Sequence, residues 1–203
     1  GNVCLGDTIS FFDQSNANAD SLVSWAWDFD DGYNSTLQNP EHLYSNYGNF
    51  NVNLSIENNF GCSDDTVKIV KVGVVPDADF MYASGCLGDS SHFTDLSTPH
   101  DSLISWDWDF GDGAGSSTLQ NPSYLYSQPG VFTVELIVGS TDGCSDTAYN
   151  DVVVDSLPDV DFDYTLSCFG EPTMFTDLTD PNAASIVSWD WNFSDPYSGG
   201  NNT

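Results

Sequence analysis

Two lysines and no arginine face 31 acidic residues in a chain of 203, a formal net charge of −29. So few cations leave nothing to displace the counterions of a phosphate backbone, which excludes nucleic acid as a partner and disfavours anionic membrane surfaces. Disorder at such acidity goes with a shortage of aromatic residues, yet 14% of this chain is aromatic and 39% hydrophobic, enough to build cores. No apolar run approaches the roughly 20 residues of a membrane-spanning helix, so no membrane insertion is expected in this segment. The chain opens at Gly1 without a methionine or a signal peptide, and it reads as a mature or cropped piece of something longer.

Internal repetition organises the sequence. Cys4, Cys86 and Cys168 recur at a period of about 82 residues, as do Cys62 and Cys144. In chain order the first repeat, 1–75, carries SWAWDFDDG (24–32), TLQNP (36–40) and GCSD (61–64), and is expected to lack its first strand. The second, 76–156, is complete. Alternating hydrophobicity places its strands at 78–83, 90–96, 103–110, 123–126, 131–138 and 147–154, the last two closing a hairpin around GSTDGC. The third, 157–203, is the N-terminal part of a further repeat and breaks off after SWDWNFSDP (188–196). No segment shows helical periodicity. Short strands with turn signals about every ten residues predict an all-β protein of tandem Ig-like antiparallel β-sandwich repeats. Neighbouring repeats of the same chain or filament are then the first partners expected.

On a strand, Trp106, Trp108 and Phe110 share one face while Asp107 and Asp109 share the other. The aromatic face is the expected core, so Trp25, Trp27, Trp106, Trp108, Trp189 and Trp191 are core candidates. A sugar-stacking platform is the alternative, though a buried Trp on a central sandwich strand is the commoner use. Gly111 and Gly113 supply the permissive backbone of a tight turn.

Catalysis finds little footing. His42, His92 and His100 have no metal-ligand spacing, and His42 aligns with Tyr124, so the repeat does not require it. The serines lack a nucleophile elbow. The five cysteines form no CxxC pair, which argues against zinc.

WDFGDG (108–113) followed by NPSYLYSQPGVFTVELIV (121–138) resembles the PKD domain, an Ig-like sandwich of extracellular proteins. CLGD and DGCSDT resemble its cysteine-bearing variant in large surface proteins of Bacteroidetes-type bacteria, many exported by the type IX secretion system and some of them gliding adhesins. The resemblance implies no catalysis. It implies a structural or adhesive segment of a long, secreted cell-surface filament; the alternative is a spacer or polysaccharide-contacting module of a large secreted hydrolase. Surface polysaccharide is accordingly a candidate partner. Asp30-Asp31 replaces Gly-Asp in the first repeat and Ser194-Asp195-Pro196 in the third, so those turns are expected to differ in conformation. Some PKD domains bind calcium near their ends, and calcium takes six to eight oxygens. Asp109 and Asp112, with Asp89 expected at the same end, are the candidate ligands; the other reading is a solvated acidic surface. No other cofactor is expected.

The triplets beginning Asp-Thr8, Asp-Ser21, Asp-Thr66, Asp-Ser102, Asp-Thr147 and Asp-Ser156 resemble the O-glycosylation acceptor of the same bacterial group. The alternative is that Asp with Ser or Thr simply favours turns. Asn34, Asn53, Asn192 and Asn201 fit the N-linked sequon, which a bacterial source makes irrelevant.

An extracellular location makes disulfides the expected state of the cysteines. Pairing within a repeat, Cys4–Cys62 and Cys86–Cys144, is one scheme. In an Ig-like topology, however, Cys86 precedes the second strand at one end and Cys144 sits in the last hairpin turn at the other. A six-residue strand spans about 20 Å, against about 7 Å for bridged Cα atoms. End-to-end stacking instead brings Cys4 to Cys144 across a junction, leaving Cys62, Cys86 and Cys168 to partner other repeats. Free thiols are the third outcome.

Overall fold

The computed structural model describes residues 3–16, 21–99, 103–182 and 185–193. Every regular element among them is a β-strand, and the fold is all-β. Unit one comprises β1 (Val3–Cys4), β2 (Thr8–Ser10), β3 (Leu22–Asp28), β4 (Asn34–Ser35), β5 (Glu41–Leu43), β6 (Gly48–Asn58) and β7 (Ser63–Gly73). Its main sheet runs β1-β7-β6-β3-β4, and β2 pairs with β5 in a second, two-stranded layer. Unit two comprises β8 (Phe80–Ala83), β9 (Ser91–Asp95), β10 (Leu103–Asp109), β11 (Ser116–Ser117), β12 (Ser123–Tyr124), β13 (Gly130–Ser140) and β14 (Ser145–Val154). Its layers are β11-β10-β13-β14 and β12-β9-β8. The expected hairpin is longer at both ends than its apolar run, because backbone pairing between β13 and β14 continues from Gly130↔Val154 to Gly139↔Ser145. The two-residue strand β11 carried no periodic signal.

Alternation decides what is buried. Trp108, Val134, Leu136, Val138 and Val152 from one sheet of unit two meet Phe80 and Phe93 from the other in one core. In unit one Trp27, Val52, Leu54 and Val72 of the main sheet form the core with Phe29 and Tyr44, and Ile9 of β2 packs against it from the other layer. The inner tryptophans Trp27 and Trp108 are buried, whereas Trp25 and Trp106 are half-buried. That difference has a cause in TLQNP. The inner indole N–H donates to the Leu carbonyl of that segment, Trp27 to Leu37 at 3.0 Å and Trp108 to Leu119 at 2.9 Å. The outer indole donates to a carboxylate that the Gln of the same segment also reaches: Trp25 and Gln38 to Asp13, Trp106 and Gln120 to Asp95. The Asn side chain then accepts the backbone N–H of that aspartate, Asn39 from Asp13 and Asn121 from Asp95. A buried indole N–H needs an acceptor, and TLQNP supplies or completes both.

The turn after β3 begins like its counterpart and then differs from it. Asp30 adopts φ 64°, the left-handed conformation that Gly111 adopts at φ 77°, but the turn closes one residue sooner, the Phe29 N–H donating to the Tyr33 carbonyl where the Phe110 N–H donates to that of Gly115. Asp tolerates this region better than most residues. Asp28 Oδ1 accepts the Asp30 N–H at 3.0 Å, as Asp109 Oδ1 accepts that of Gly111 at 2.9 Å. At Gly111 a Cβ would run into the backbone of Thr133. In unit one the Asp30 carboxylate instead accepts the N–H of Asn51, the residue equivalent to Thr133, at 2.7 Å. Residues 194–196 lie outside the described residues.

Beyond Val154, β15 (Phe162–Tyr164) pairs with β16 (Phe175–Asp177). Phe162, Phe175, Trp191 and Phe193 gather around an open cleft of about 620 Å³. Trp189, expected in a core, is 57% exposed, and Trp191 is half-buried. The long hairpin that covers Trp108 in unit two has no counterpart among the described residues here.

Candidate functional site

The joint between units one and two is built from the end of β7 and the turn between β13 and β14. Cys4 reaches it because β1 runs parallel to the last residues of β7, with Cys4 opposite Gly73. Leu5 N–H donates to the Gly73 carbonyl at 3.0 Å, and the Asp7 carboxylate accepts the Cys4 N–H at 3.0 Å. From this frame Cys4 is disulfide-bonded to Cys144 of unit two, with Cα atoms 5.7 Å apart at a sequence separation of 140. The within-repeat pairings are not formed: Cys62, Cys86 and Cys168 are free and exposed.

Around the disulfide, unit one and unit two exchange polar contacts. Lys71 Nζ lies 2.6 Å from Asp142 Oδ1, and Val74 N–H donates to the other oxygen of that carboxylate at 3.2 Å. The Lys71 contact, followed by the Val74 N–H, holds the Asp142 carboxyl below its usual pKa. Ser140 Oγ donates to the Val74 carbonyl, and within unit two Asp146 accepts the Ala78 N–H at 2.8 Å, fixing the start of that unit beside the same turn. The approach is close enough to select a residue: a Cβ on Gly73 would sit 2.5 Å from Asp142 Cβ and 3.0 Å from Cys144 Sγ. Lys71, Gly73 and Asp142 escaped the reading of the sequence. The available signal was a glycine interrupting the apolar run VKIVKVGVV, with both lysines of the chain beside it.

The other candidates are dispersed. Asp112 Oδ1 accepts the N–H groups of Ala114 and Gly115, and its Oδ2 accepts the Tyr124 hydroxyl at 2.6 Å. Asp109 closes onto Gly111, and the Asp89 N–H donates to the Cys86 carbonyl in the CLGD turn. Among the described residues no group of three His, Cys, Asp or Glu has the arrangement of a metal site. His42 occupies the place of Tyr124: it stacks on Phe29 as Tyr124 stacks on Phe110, and its Nε2 lies 2.8 Å from Asp31. His92 Nδ1 meets Ser123 Oγ at 2.7 Å, and His100 lies outside the described residues. Thr8, Ser21 and Thr66 are exposed, Thr147 and Ser156 half-buried, and Ser102 lies outside the described residues. No helix among them is long and apolar enough to cross a membrane.

Comparison with known proteins matches a family profile described as PKD domain to residues 1–74 and again to 75–154. A microbial collagenase of Vibrio alginolyticus is 34% identical over 77 residues, which is 37% of this chain and 9% of the collagenase. The chain thus spans under a tenth of that relative's length. Two solved structures are similar over 40% of the chain. The PKD1 domain of Vibrio anguillarum Epp is 31% identical and 95% covered, with a TM-score of 0.38. The PKD1 domain of the Vibrio cholerae metalloprotease PrtV is 33% identical and 98% covered, with a TM-score of 0.37.

Proposed function

For this chain, which belongs to the PKD domain family, we propose a non-catalytic mechanical role: a tension-bearing spacer segment of a secreted bacterial cell-surface filament or adhesin. The single observation that carries it is the Cys4–Cys144 disulfide. Tension entering at the N-terminal end crosses from Cys4 directly to Cys144, so the residues between them form a loop off the load path. The core around Trp27 then need not resist extension, whereas in unit two β14 follows Cys144 and stays on the load path, held there by its pairing with β13 and by Val152 and Val154 in the core. Gly73, Lys71 and Asp142 seat the two units against each other and restrict bending at the joint. Type IX export is the route that the cysteine-bearing motif suggests, and the exposed Thr8, Ser21 and Thr66 are the most accessible glycan acceptors.

Limited proteolysis tests the seating. Oxidised protein should resist cleavage at 73–78, and reduction should open that segment before either core unfolds. Equal cleavage in both states would remove the joint as a mechanical element.

The second reading is a spacer or polysaccharide-contacting module of a large secreted hydrolase, favoured by similarity to segments of a collagenase and a metalloprotease. Affinity electrophoresis through polysaccharide gels tests its sugar-contacting form: retardation supports that form, and unchanged mobility removes it.

A further inference from the structure

The closed joint has a rewritten counterpart at the far end of unit two, 82 residues on. Cys86 stands beside Asp155 in the parallel bridge that Cys4 makes with Gly73. Leu87 N–H donates to the Asp155 carbonyl at 2.8 Å, as Leu5 N–H does to that of Gly73 at 3.0 Å. Asp89 N–H donates to the Cys86 carbonyl as Asp7 N–H does to that of Cys4. The receiving cysteine is therefore held in the same backbone frame, and it is exposed and free. Its surroundings differ. Lys71 is replaced by Val153, which is 42% exposed, and Gly73 by Asp155.

The inserting side is rewritten in the same sense. The turn of unit one keeps the frame of the turn that carries Cys144: Asn58 N–H donates to the Cys62 carbonyl at 2.9 Å, as Ser140 N–H does to that of Cys144 at 2.8 Å. Where unit two has Asp142, unit one has Phe60, 74% exposed. Thus the ionic contact Lys71–Asp142 has an apolar residue in both equivalent places, Val153 on the receiving face and Phe60 on the inserting turn.

We propose that Cys86 is the receiving half of a second interunit disulfide, and that its partner is a PKD-type hairpin with an apolar residue two places before its cysteine, as in Phe60-Gly61-Cys62. An acidic turn like that of unit two is rejected there, because its carboxylate would lose the lysine and meet Asp155. Unlike chemistry at successive joints lets each hairpin choose its own seat. Asp155 also prevents an identical approach. Its Cβ falls where a Cβ on Gly73 would meet the turn at 2.5 Å, against ordinary contact from 3.4 Å. The incoming hairpin must stand back by roughly 1 Å, which the about 4.4–6.8 Å Cα range of disulfides accommodates.

The inference rests on the stapled-spacer reading, yet its failure leaves Cys4–Cys144 and that reading untouched. The test is thiol–disulfide exchange on the intact, oxidised chain. The probe is a cyclised hairpin peptide of residues 56–68 whose cysteine carries a thionitrobenzoate group. The attacking thiolate bonds to the peptide sulfur and thionitrobenzoate leaves, so absorbance gives the rate and peptide mapping gives the site. Cys86 should capture the probe at least about tenfold faster than Cys62 or Cys168, a difference beyond what their shared exposure and thiol chemistry would give. A probe carrying Phe60→Asp should lose that preference, and Asp155→Lys in the chain should restore it for the acidic probe. Equal rates at the three thiols, or an acidic probe as fast as the apolar one, would overturn the proposal.

Discussion

The indole N–H of Trp106 donates to Asp95 Oδ2 at 2.8 Å, the same relationship that joins Trp25 to Asp13 at 2.7 Å and Trp189 to Asp177 at 2.6 Å. One carboxylate thereby ties β9 to β10, and the Gln120 amide and Ser97 N–H complete its shell. Replacing Asp95 by Ala strips three donors of their acceptor in a buried place. The expected loss is about 1–3 kcal/mol, read from denaturant unfolding followed by tryptophan fluorescence. A change below about 0.5 kcal/mol, the scale of ordinary surface substitutions, would show that the tie is ornamental.

The same carboxylate gives a pH signature. Burial acts to raise the Asp95 pKa, but hydrogen bonds from Ser97, Gln120 and Trp106 outweigh it and hold the carboxyl below its ordinary value. A depressed folded pKa stabilises fully above the unfolded value of about 3.9, and that stabilisation is lost as pH falls through the folded pKa. The stability difference between the parent chain and Asp95→Asn should therefore be flat above about pH 5 and shrink below about pH 4. A difference that instead grows on acidification contradicts the assignment.

Gly73→Asp places at the first joint the residue that stands at the second. Its Cβ would press on Asp142 and Cys144 Sγ, and, unlike at the second joint, its carboxylate would face an acidic turn residue, Asp142, so closure of Cys4–Cys144 should become incomplete while both cores still fold. Non-reducing peptide mapping reads the outcome. Full crosslinking in the variant would mean that the close approach does not select glycine.

Trp108 and Trp106 should separate by magnitude. Trp108 is fully buried against Phe80 and Phe93, and Trp108→Ala should cost about 3–5 kcal/mol. Trp106→Phe keeps an aromatic ring and loses one hydrogen bond to a charged acceptor, about 1.5–3 kcal/mol. Equal losses for the two would dissolve the distinction between inner and outer tryptophan.

What was legible in the sequence was what local periodicity encodes. Alternation in SWDWDF placed Trp108 in a core and Asp107 and Asp109 outside it, and the Ig-like topology, which sets Cys86 and Cys144 at opposite ends of a repeat, pointed across a junction. The half-burial of Trp106 was not legible, since it depends on Asp95 and Gln120, which alternation does not link to it. Asp30 signalled a changed turn, and the turn does close one residue sooner, but Asp30 itself keeps the left-handed backbone of Gly111 because its side chain finds the Asn51 N–H that a glycine does not reach. The seat of the joint was hidden for a similar reason. Gly73 and Asp142 meet only when two separately folded units stack, and no spacing within one repeat records that contact.

Stretching single molecules from their two ends, oxidised and then reduced, tests the load path most directly. With Cys4 bonded to Cys144, the 140-residue span is withheld from extension. The oxidised chain should therefore be shorter by roughly 500 Å of contour length, at about 3.6 Å per residue. Reduction should release that length and expose the unfolding of units one and two. Equal extension in the two states, with both units unfolding under tension while oxidised, would contradict the account.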